Sequence, residues 1–270
     1  MLTTVLEDLD YADDIVLLAH QHQDMQDKTN ALATTSGNLG LKINITKTRH
    51  LRMSSTNNES ILVSGEVVDE IDHFTYLGSK VSTSRDGEEE ILVWISNASQ
   101  AFASLRSTWR SKNISQKTKI RFFKSNVLST LLYGAESWRM TKTFSHKLEV
   151  FQNKCLHRIL RIYWPQTISN YELRRRTATE PITQQVWRKR WKWIGHVLRM
   201  PPAALARIAL RWTPDGRRKR GRPKETWRRT VKKEMKENSW RWGHLKRRAP
   251  DRSQWHTLIE ALCVSEHEED

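Results

Sequence analysis

Residues 8–19 read Asp-Leu-Asp-Tyr-Ala-Asp-Asp-Ile-Val-Leu-Leu-Ala, and this stretch sets the architecture of the N-terminal region. Two short segments, 6–10 and 15–19, of which the second is apolar, flank turn-like residues 11–14, which predicts a β-hairpin. The adjacent carboxylates of Asp13 and Asp14 at its tip repel each other, so the pair is costly unless cations bind there. Two divalent ions held about 3.5–4 Å apart are one solution, and oxygen ligands suit Mg²⁺ or Mn²⁺. A solvated turn is the alternative for the tetrapeptide taken alone.

The rest of the first 85 residues mixes strand and helix patterns. A helix is predicted over residues 22–39, and short strands are predicted over 43–45, 61–63, 67–68 and 74–77. From about residue 86 the apolar period becomes helical, with stripes within 91–102, 120–131, 144–163, 187–198 and 227–235. Ser169 to Glu172 fits a capping box, and 256–263 suggests a short last helix. The sequence therefore predicts an α+β fold in three regions, 1–85, 86–165 and 166–270.

Charge divides the chain more sharply than its total suggests. The 270 residues contain 46 Lys and Arg against 30 Asp and Glu, a net charge of +16. Residues 1–100 carry 7 bases and 16 acids, whereas residues 174–252 carry 26 bases and 6 acids, a net charge of +20. Such a segment repels itself unless a polyanion neutralises it. Nucleic acid is the first candidate polyanion, and an anionic membrane surface is the second.

Composition argues against several protein classes. No apolar run is longer than that of residues 15–19, which is too short to cross a bilayer, so we expect no membrane partner. Residues 1–10 carry three acids and no base, which fits neither a signal peptide nor a mitochondrial presequence. Cys155 and Cys263 cannot make a disulfide framework or a Cys-rich zinc site, and His196 shows no metal-ligand spacing with either. We expect an intracellular protein with reduced thiols.

Four further segments follow residues 8–19 along the chain, and their order is part of the evidence. They are Leu-Gly-Leu-Lys-Ile-Asn at 39–44 with Lys-Thr at 47–48, Phe-Thr-Tyr-Leu-Gly at 74–78, Thr-Leu-Leu-Tyr-Gly-Ala-Glu-Ser-Trp at 130–138, and Trp-Ile-Gly-His-Val-Leu-Arg-Met at 193–200 with Gly-Arg-Pro-Lys at 221–224 and Thr-Trp at 226–227. In this order they resemble two palm motifs, the primer-grip hairpin, the thumb and the C-terminal region of non-LTR (LINE-type) retrotransposon reverse transcriptases. The match covers nearly the whole chain.

The resemblance implies an RNA-directed DNA polymerase that uses two-metal nucleotidyl transfer. Asp13 and Asp14 would be its catalytic metal ligands, with Mg²⁺ or Mn²⁺ as the ion, and Tyr11 would lie beside the primer terminus and the incoming nucleotide. The implied partners are an RNA template, a DNA primer or target, and deoxynucleoside triphosphates. No small-molecule cofactor is implied.

The same resemblance assigns substrate contacts outside the first hairpin. Lys42 or Lys47 would approach the triphosphate, and plain surface charge is an equal alternative for both lysines. Tyr76, Leu77 and Gly78 would hold the primer backbone. Packing within a hairpin is compatible with that role.

The sequence departs from the family at the catalytic centre. The family needs a third carboxylate on an upstream palm strand and fingers that grip template and nucleotide, and the residues before Tyr11 supply neither. Glu7, Asp8 and Asp10 lie too close together on one strand to replace that carboxylate. Two ligands on one turn rarely fix two metals in a reactive geometry, so we expect no meaningful polymerase activity. The expected architecture is an incomplete palm, a helical thumb and a basic helical extension.

Basic and aromatic residues interleave in the C-terminal region. Basic side chains neutralise phosphates, and exposed aromatic rings stack on bases. Trp187, Trp191 and Trp227 lie on apolar stripes, however, so we expect them in the core, while Trp193, Trp240 and Trp242 stay undecided. The predicted nucleic-acid contacts are Arg188, Lys189, Arg190, Lys192, Arg217, Arg218, Lys219, Arg220, Arg222, Lys224, Arg228 and Arg229.

Residues 217–224, Arg-Arg-Lys-Arg-Gly-Arg-Pro-Lys, have three interpretations. The run resembles an AT-hook core that enters the A·T minor groove, it fits a nuclear localisation signal, and it fits a solvated linker between helices. A nuclear location is our expectation for the chain.

Three hypotheses follow for the whole chain. It is a fragment of a reverse transcriptase, a basic helical module that binds RNA or DNA, or a retroelement relic without a selected role. A dependence on Mg²⁺ separates the first from the second, and exposed apolar surface at an unpaired sheet edge is the expected sign of the third.

Overall fold

The computed structural model describes residues 8–11, 13–53, 57–76, 79–82, 88–210 and 226–265. It divides into two compact units, residues 1–86 (unit 1) and residues 87–270 (unit 2), and each is described by itself. The predicted site residues Leu77 and Gly78 and the basic run 217–224 lie outside the described residues. Within the described residues the fold mixes α and β structure and is mostly helical, with small antiparallel sheets.

Unit 1 contains one helix and three two-stranded hairpins among its described residues. The first hairpin pairs β1 (Asp8–Tyr11) with β2 (Asp14–Leu17), and helix α1 (His22–Asn38) follows it. The other hairpins pair β3 (Leu62–Val63) with β4 (Glu66–Val67), and β5 (His73–Tyr76) with β6 (Ser79–Ser82). The predictions of the first hairpin, of α1 and of the later strands β3 to β5 are confirmed within one or two residues.

The strand predicted over residues 43–45 is wrong. Asn44 instead organises a turn, because its side-chain oxygen accepts from the Thr46 hydroxyl at 2.7 Å and from the Lys47 backbone N–H at 3.1 Å. The Thr48 N–H also donates to the Asn44 carbonyl at 2.9 Å. Local bonds of this kind compete with strand pairing.

Few of the apolar side chains that the structure describes in unit 1 are buried. Ile61, Val63 and Val68 are buried beside the β3–β4 hairpin. Gln26 of α1 holds β3, since its side-chain amide donates to the Leu62 carbonyl at 2.8 Å and accepts from the Leu62 N–H at 2.9 Å. A lone two-stranded hairpin has marginal stability, so this contact with α1 stabilises β3.

The described part of unit 2 is helical, with short connections. Its helices are α2 (Glu88–Ser104), α3 (Arg106–Arg110), α4 (Gln116–Phe122), α5 (Ser129–Leu131), α6 (Lys142–Leu160), α7 (Asn170–Thr177), α8 (Ile182–Arg199), α9 (Leu205–Ala209), α10 (Trp227–Glu237), α11 (Trp242–Arg248) and α12 (Arg252–Ser265). A π-helical stretch, Phe123–Leu128, joins α4 to α5. The sequence did not predict α11, and α12 begins four residues earlier than predicted. No helix among the described residues has the length and apolar character needed to cross a bilayer.

Two hydrophobic clusters stabilise unit 2. The first cluster contains the predicted stripes of α2, α4 to α5 and α6, including Ile91, Phe123 and Leu148. The second cluster brings α8 together with α10, α11 and α12. Helix α8 contributes to both, since Val186 belongs to the first cluster and Trp191 to the second.

Residues 130–138 lie where several helices of unit 2 meet. Gly134 has a φ of +67°, a backbone conformation that favours glycine, and the chain then turns so that Trp138 is buried. The Trp138 carbonyl accepts from the Arg190 guanidinium at 2.8 Å, and the Glu136 carbonyl accepts from the Trp227 indole at 2.8 Å. This segment therefore connects α8 and α10 to the first cluster.

Candidate functional site

The acidic hairpin places Asp13 in its turn and Asp14 at the start of β2. Tyr11 and Asp14 are directly opposite each other in the antiparallel register, followed by Asp10 with Ile15. Asp13 and Asp14 are both exposed. The two carboxylates therefore lie at the tip of a hairpin, as predicted. Their role as metal ligands stays a prediction.

The register also decides which other acids share a face with Asp14. Side chains alternate between faces along a strand, and directly paired residues share a face. Asp14 therefore lies on the same face as Leu9 and Val16, whereas Asp8 and Asp10 lie on the opposite face. Neither of these two acids can complete a ligand set with Asp14, and no cluster of three potential ligands for a metal occurs among the described residues. The described donors therefore do not fit a two-metal centre.

Three of the predicted substrate contacts, Lys42, Lys47 and Tyr76, lie among the described residues of unit 1. Lys42 and Lys47 are exposed near the Asn44 turn. The Tyr76 hydroxyl donates to the Leu9 carbonyl at 3.3 Å, which links β5 to β1 within unit 1. Tyr76 therefore has a structural contact, and its predicted contact with a primer stays a prediction.

Among the predicted nucleic-acid contacts on α8, Arg190 requires a correction. Its side chain is fully buried, it pairs with Glu234 of α10, and it donates to the Trp138 carbonyl. The Trp191 indole donates to the other carboxylate oxygen of Glu234 at 2.8 Å. Burial lowers the pKa of Arg190 and raises that of Glu234, and each charge opposes part of the other's shift. Arg190 is a core residue, because its charge is neutralised inside the unit.

The other predicted bases of α8 stay at or near the surface. Arg188 pairs with Glu180 and with Glu260 of α12, and Lys192 pairs with Glu260 at 3.3 Å. Lys189 is exposed, and its ammonium donates to the Leu132 carbonyl at 3.0 Å. The charges of Arg188 and Lys192 are thus partly compensated by carboxylates, and the nucleic-acid contacts of all three residues stay predictions.

Helix α10 carries a basic face that the sequence reasoning recognised only in part. Arg229, Lys232, Lys233 and Lys236 are all exposed and follow the spacing of one helical face. Thr230, Val231, Glu234 and Met235 occupy the buried side. Only Arg228 and Arg229 of this helix were predicted, and Arg228 is partly buried and donates to the Ala209 carbonyl at 3.1 Å. Spacing at i, i+3, i+4 and i+7 is the signal that identifies the three lysines.

The tryptophans that the structure describes in the C-terminal region are buried in the core or pack against it. Trp191 and Trp255 are buried in the second cluster. The expected core positions of Trp187, Trp191 and Trp227 are confirmed, since each lies in that cluster or packs against it. The undecided Trp193, Trp240 and Trp242 also pack against it. None of these rings is an exposed stacking surface.

The cysteine described in the structure has no features of a metal ligand. Cys155 is buried in the first cluster, and burial raises the pKa of its thiol to about 12. A thiol in this state stays protonated at neutral pH, and the thiolate is the form that binds metals.

Comparison with known proteins relates the chain to a transposon-derived protein. A family described as a domain of unknown function (DUF6451) matches residues 101–133, which run from the end of α2 to Tyr133. The putative uncharacterized transposon-derived protein F52C9.6 of Caenorhabditis elegans is 25% identical over 269 residues, and the alignment covers 94% of this chain and 95% of the relative. No solved structure matches.

Proposed function

We propose that this chain is a retroelement-derived protein that corresponds to the C-terminal part of a non-LTR reverse transcriptase. In this proposal its helical unit binds nucleic acid by charge, and the chain does not extend a primer by itself. The basic face of α10, Arg229, Lys232, Lys233 and Lys236, is the observation that carries the binding function.

The structure of α10 supports binding through phosphates. The exposed cations lie on one face of the helix, while its buried apolar residues pack in the second cluster. The 3.7 Å contact between Lys233 and Glu237 is exposed, and such pairs contribute little. Phosphate contacts of this type supply affinity without sequence selectivity.

The ancestry rests on two independent similarities. The five motif segments of the sequence occur in the order of the reverse transcriptase family. The transposon-derived relative from C. elegans is similar over nearly the full length of both chains. We infer an origin from a polymerase from the motif order alone. We infer an origin from a mobile element from the motif order and from the transposon-derived relative together.

The acidic hairpin argues against polymerase activity of this chain. Asp14 shares its face with Leu9 and Val16, and the nearby acids of β1 are on the other face. Two-metal transfer needs ligands fixed within about 0.5 Å of the productive geometry. We therefore assign no reaction step to the hairpin, and Asp13 and Asp14 would act only with a further carboxylate.

Binding to labelled oligonucleotides over a range of salt concentrations tests the charge mechanism. We expect the logarithm of the binding constant to fall linearly with the logarithm of salt concentration. The triple variant Lys232→Gln, Lys233→Gln, Lys236→Gln should reduce the magnitude of that slope by about two to three. The matched variant with arginine at all three positions keeps the charge and should keep the slope. An unchanged slope in the glutamine variant would remove α10 from the interface.

Primer extension with Mg²⁺ tests the catalytic part of the proposal. The purified chain and its Asp13→Ala variant should both fail to extend a primer on an RNA template. Robust extension by the unaltered chain and not by the variant would show that the hairpin is a working catalytic centre.

A further inference from the structure

The loop between α6 and α7 exposes the aromatic residues Tyr163 and Trp164. Trp164 is 90% exposed and Tyr163 is 60% exposed. Each of the other tryptophans that the structure describes is buried or packs against one of the two clusters. A single exposed apolar residue is ordinary in a soluble protein, so the surroundings of this loop decide whether Trp164 has a function.

A cationic cavity of about 250 Å³ lies at the start of the same loop. Its basic lining residues are Lys112, Lys119 and Arg161, and Ile159 and Leu160 line its apolar side. None of the described lining residues is acidic. Three cations without a carboxylate make a cavity suited to an anion.

Lys119 is an unusual member of this lining because it is buried. Only 6% of the residue is exposed, and its ammonium donates to the Trp109 carbonyl at 3.1 Å and to the Ser111 carbonyl at 2.6 Å. An ammonium has three N–H donors, so one remains beyond these two described acceptors. Burial lowers the pKa of Lys119, and the nearby Arg161 guanidinium lowers it further. An anion in the cavity would offset both effects.

The chain connects this cavity directly to the exposed ring. Arg161, in a left-handed conformation with φ +59°, ends α6, and its guanidinium donates to the Arg110 carbonyl. Trp164 follows three residues later, a distance of at most about 11 Å along the chain. The Gln166 N–H donates to the Tyr163 carbonyl at 2.9 Å and closes a turn around Trp164. The exposed indole therefore belongs to the loop that begins at the cavity lining.

We infer that this surface, Lys112, Lys119, Arg161 and Trp164, binds a single-stranded nucleic acid, with a backbone phosphate in the cavity and an unpaired base stacked on Trp164. The inference deepens the proposed function and rests on it. A phosphate alone would explain the cations, and the indole adds a flat apolar face for a base. A duplex keeps its bases stacked on each other, so only a single strand supplies both groups together.

The test measures binding of the full chain to the same sequence as single-stranded RNA, single-stranded DNA and duplex DNA. Trp164→Leu removes the aromatic face and keeps an apolar side chain, whereas Trp164→Phe keeps an aromatic face. We expect the leucine variant to bind single strands about five- to hundredfold more weakly, with duplex binding unchanged. The phenylalanine variant should keep most of the affinity. Circular dichroism should be the same for all three chains, because Trp164 makes little contact with the unit.

Lys112 tests the phosphate contact separately. This residue is exposed, so Lys112→Gln should leave the fold intact and reduce the salt slope of single-strand binding by about one. If Trp164→Leu weakens binding to RNA only or to DNA only, the result identifies the type of strand that is bound. If it weakens both equally, the sugar is not recognised. Each of these outcomes supports the inference.

Two results overturn the inference, and they differ in what they say about the proposed function. If the unaltered chain binds single strands and Trp164→Leu binds them equally well, or loses duplex binding to the same extent, the stacking contact is wrong and charge-based binding stands. If the unaltered chain binds no nucleic acid at low salt, the proposed function and the inference both fail.

Discussion

Gly195 of α8 is the residue over which the Trp255 side chain of α12 lies. A Cβ atom at position 195 would be only 2.1 Å from the indole nitrogen of Trp255 and 2.5 Å from its Cε2 atom. The same indole donates to the Trp191 carbonyl at 3.1 Å, which fixes the ring against α8. The glycine in the segment Trp-Ile-Gly-His therefore has a packing reason, because any larger residue would displace α12.

Replacing Gly195 with alanine should destabilise the protein by at least about 1–3 kcal/mol, since the ring and its helix must move. Urea unfolding followed by tryptophan fluorescence measures the change. Gly243 of α11 is the matched control, because a Cβ atom there would meet nothing within 4 Å. Gly243→Ala should be neutral or stabilising by about 0.5–1 kcal/mol. Equal effects at the two positions would contradict the packing explanation.

The buried pair of Arg190 and Glu234 leads to a second prediction at the residue scale. Arg190→Met leaves the Glu234 carboxylate without its cation and should cost about 3–5 kcal/mol. Glu234→Gln keeps an acceptor for the Trp191 indole but leaves Arg190 unpaired. We expect the double variant to lose less than the sum of the two single variants, as measured by urea unfolding. Strictly additive losses would mean that the two charges do not interact.

Helix α7 forms one of the two hydrogen bonds that its predicted capping box would contain. The Ser169 hydroxyl accepts from the Glu172 N–H at 3.1 Å, as the capping box predicts. The Glu172 carboxylate instead accepts from Arg175 at 2.7 Å and also pairs with Arg176. Two guanidinium groups within one helical turn provide charge-assisted bonds, which are stronger than a bond to a neutral N–H.

This pairing makes the stability of α7 sensitive to acid. Hydrogen bonds from Arg175 and Arg176 lower the pKa of Glu172 from 4.5 to about 2. Because the folded-state pKa is the lower one, the stabilisation is complete above about pH 4.5 and is lost as the pH falls toward 2. NMR titration of the Glu172 carboxyl carbon should show the low pKa, and Arg175→Gln with Arg176→Gln should return it toward 4.5. A normal pKa in the unaltered chain would exclude the pairing in solution.

Helix α10 can be predicted from its sequence, whereas helix α11 cannot. Helix α10 has an apolar stripe and a Thr226 cap whose hydroxyl accepts from the Arg229 N–H at 3.3 Å, so its pattern is complete within one segment. Helix α11 buries Leu245 alone among its residues. With a single buried side chain there is no apolar period to recognise, and contacts with the second cluster stabilise the helix.

At the scale of the whole molecule, the two units differ in how much apolar surface they bury. Unit 2 contains both hydrophobic clusters. In unit 1 the hairpins have two strands each, and Ile15 and Val67 are 46% and 59% exposed. Exposed apolar residues beside unpaired strand edges were the expected sign of a retroelement relic, because missing palm strands would leave such edges. The described part of unit 1 has exposed apolar residues on its two-stranded sheets, and the relic hypothesis stays a prediction.

Hydrogen exchange of the full chain should reflect this difference. We expect the amides of α6 and α8 to exchange most slowly, because their residues lie in the clusters, and the amides of β1 and β2 to exchange within the fast range of local opening. Mass spectrometry of peptic fragments gives both rates in one experiment. Protection of the first hairpin equal to that of α8 would mean that unit 1 is held together by more than its described contacts.

Local patterns were sufficient for the first hairpin, for α1, α6 and α8, and for the cap at Ser169. Alternation, helical period and capping depend on residues within a few positions of each other, so a single segment contains the whole signal. The same patterns correctly assigned Trp187, Trp191 and Trp227 to the core. They failed at residues 43–45, where the Asn44 side chain makes a turn in a segment that alternates like a strand.

The roles of individual charges and rings depended on contacts between distant parts of the chain. In the sequence, Arg190 cannot be distinguished from the basic residues beside it. It is buried in the fold, where it pairs with Glu234, which is 44 residues away in the chain. Trp164 is one tryptophan among twelve in the sequence, and the folded loop alone sets it apart as exposed. The register of β1 and β2, likewise, puts Asp8 and Asp10 on the face opposite Asp14. Burial and charge compensation are properties of the assembled unit, because they are determined by which side chains meet after folding.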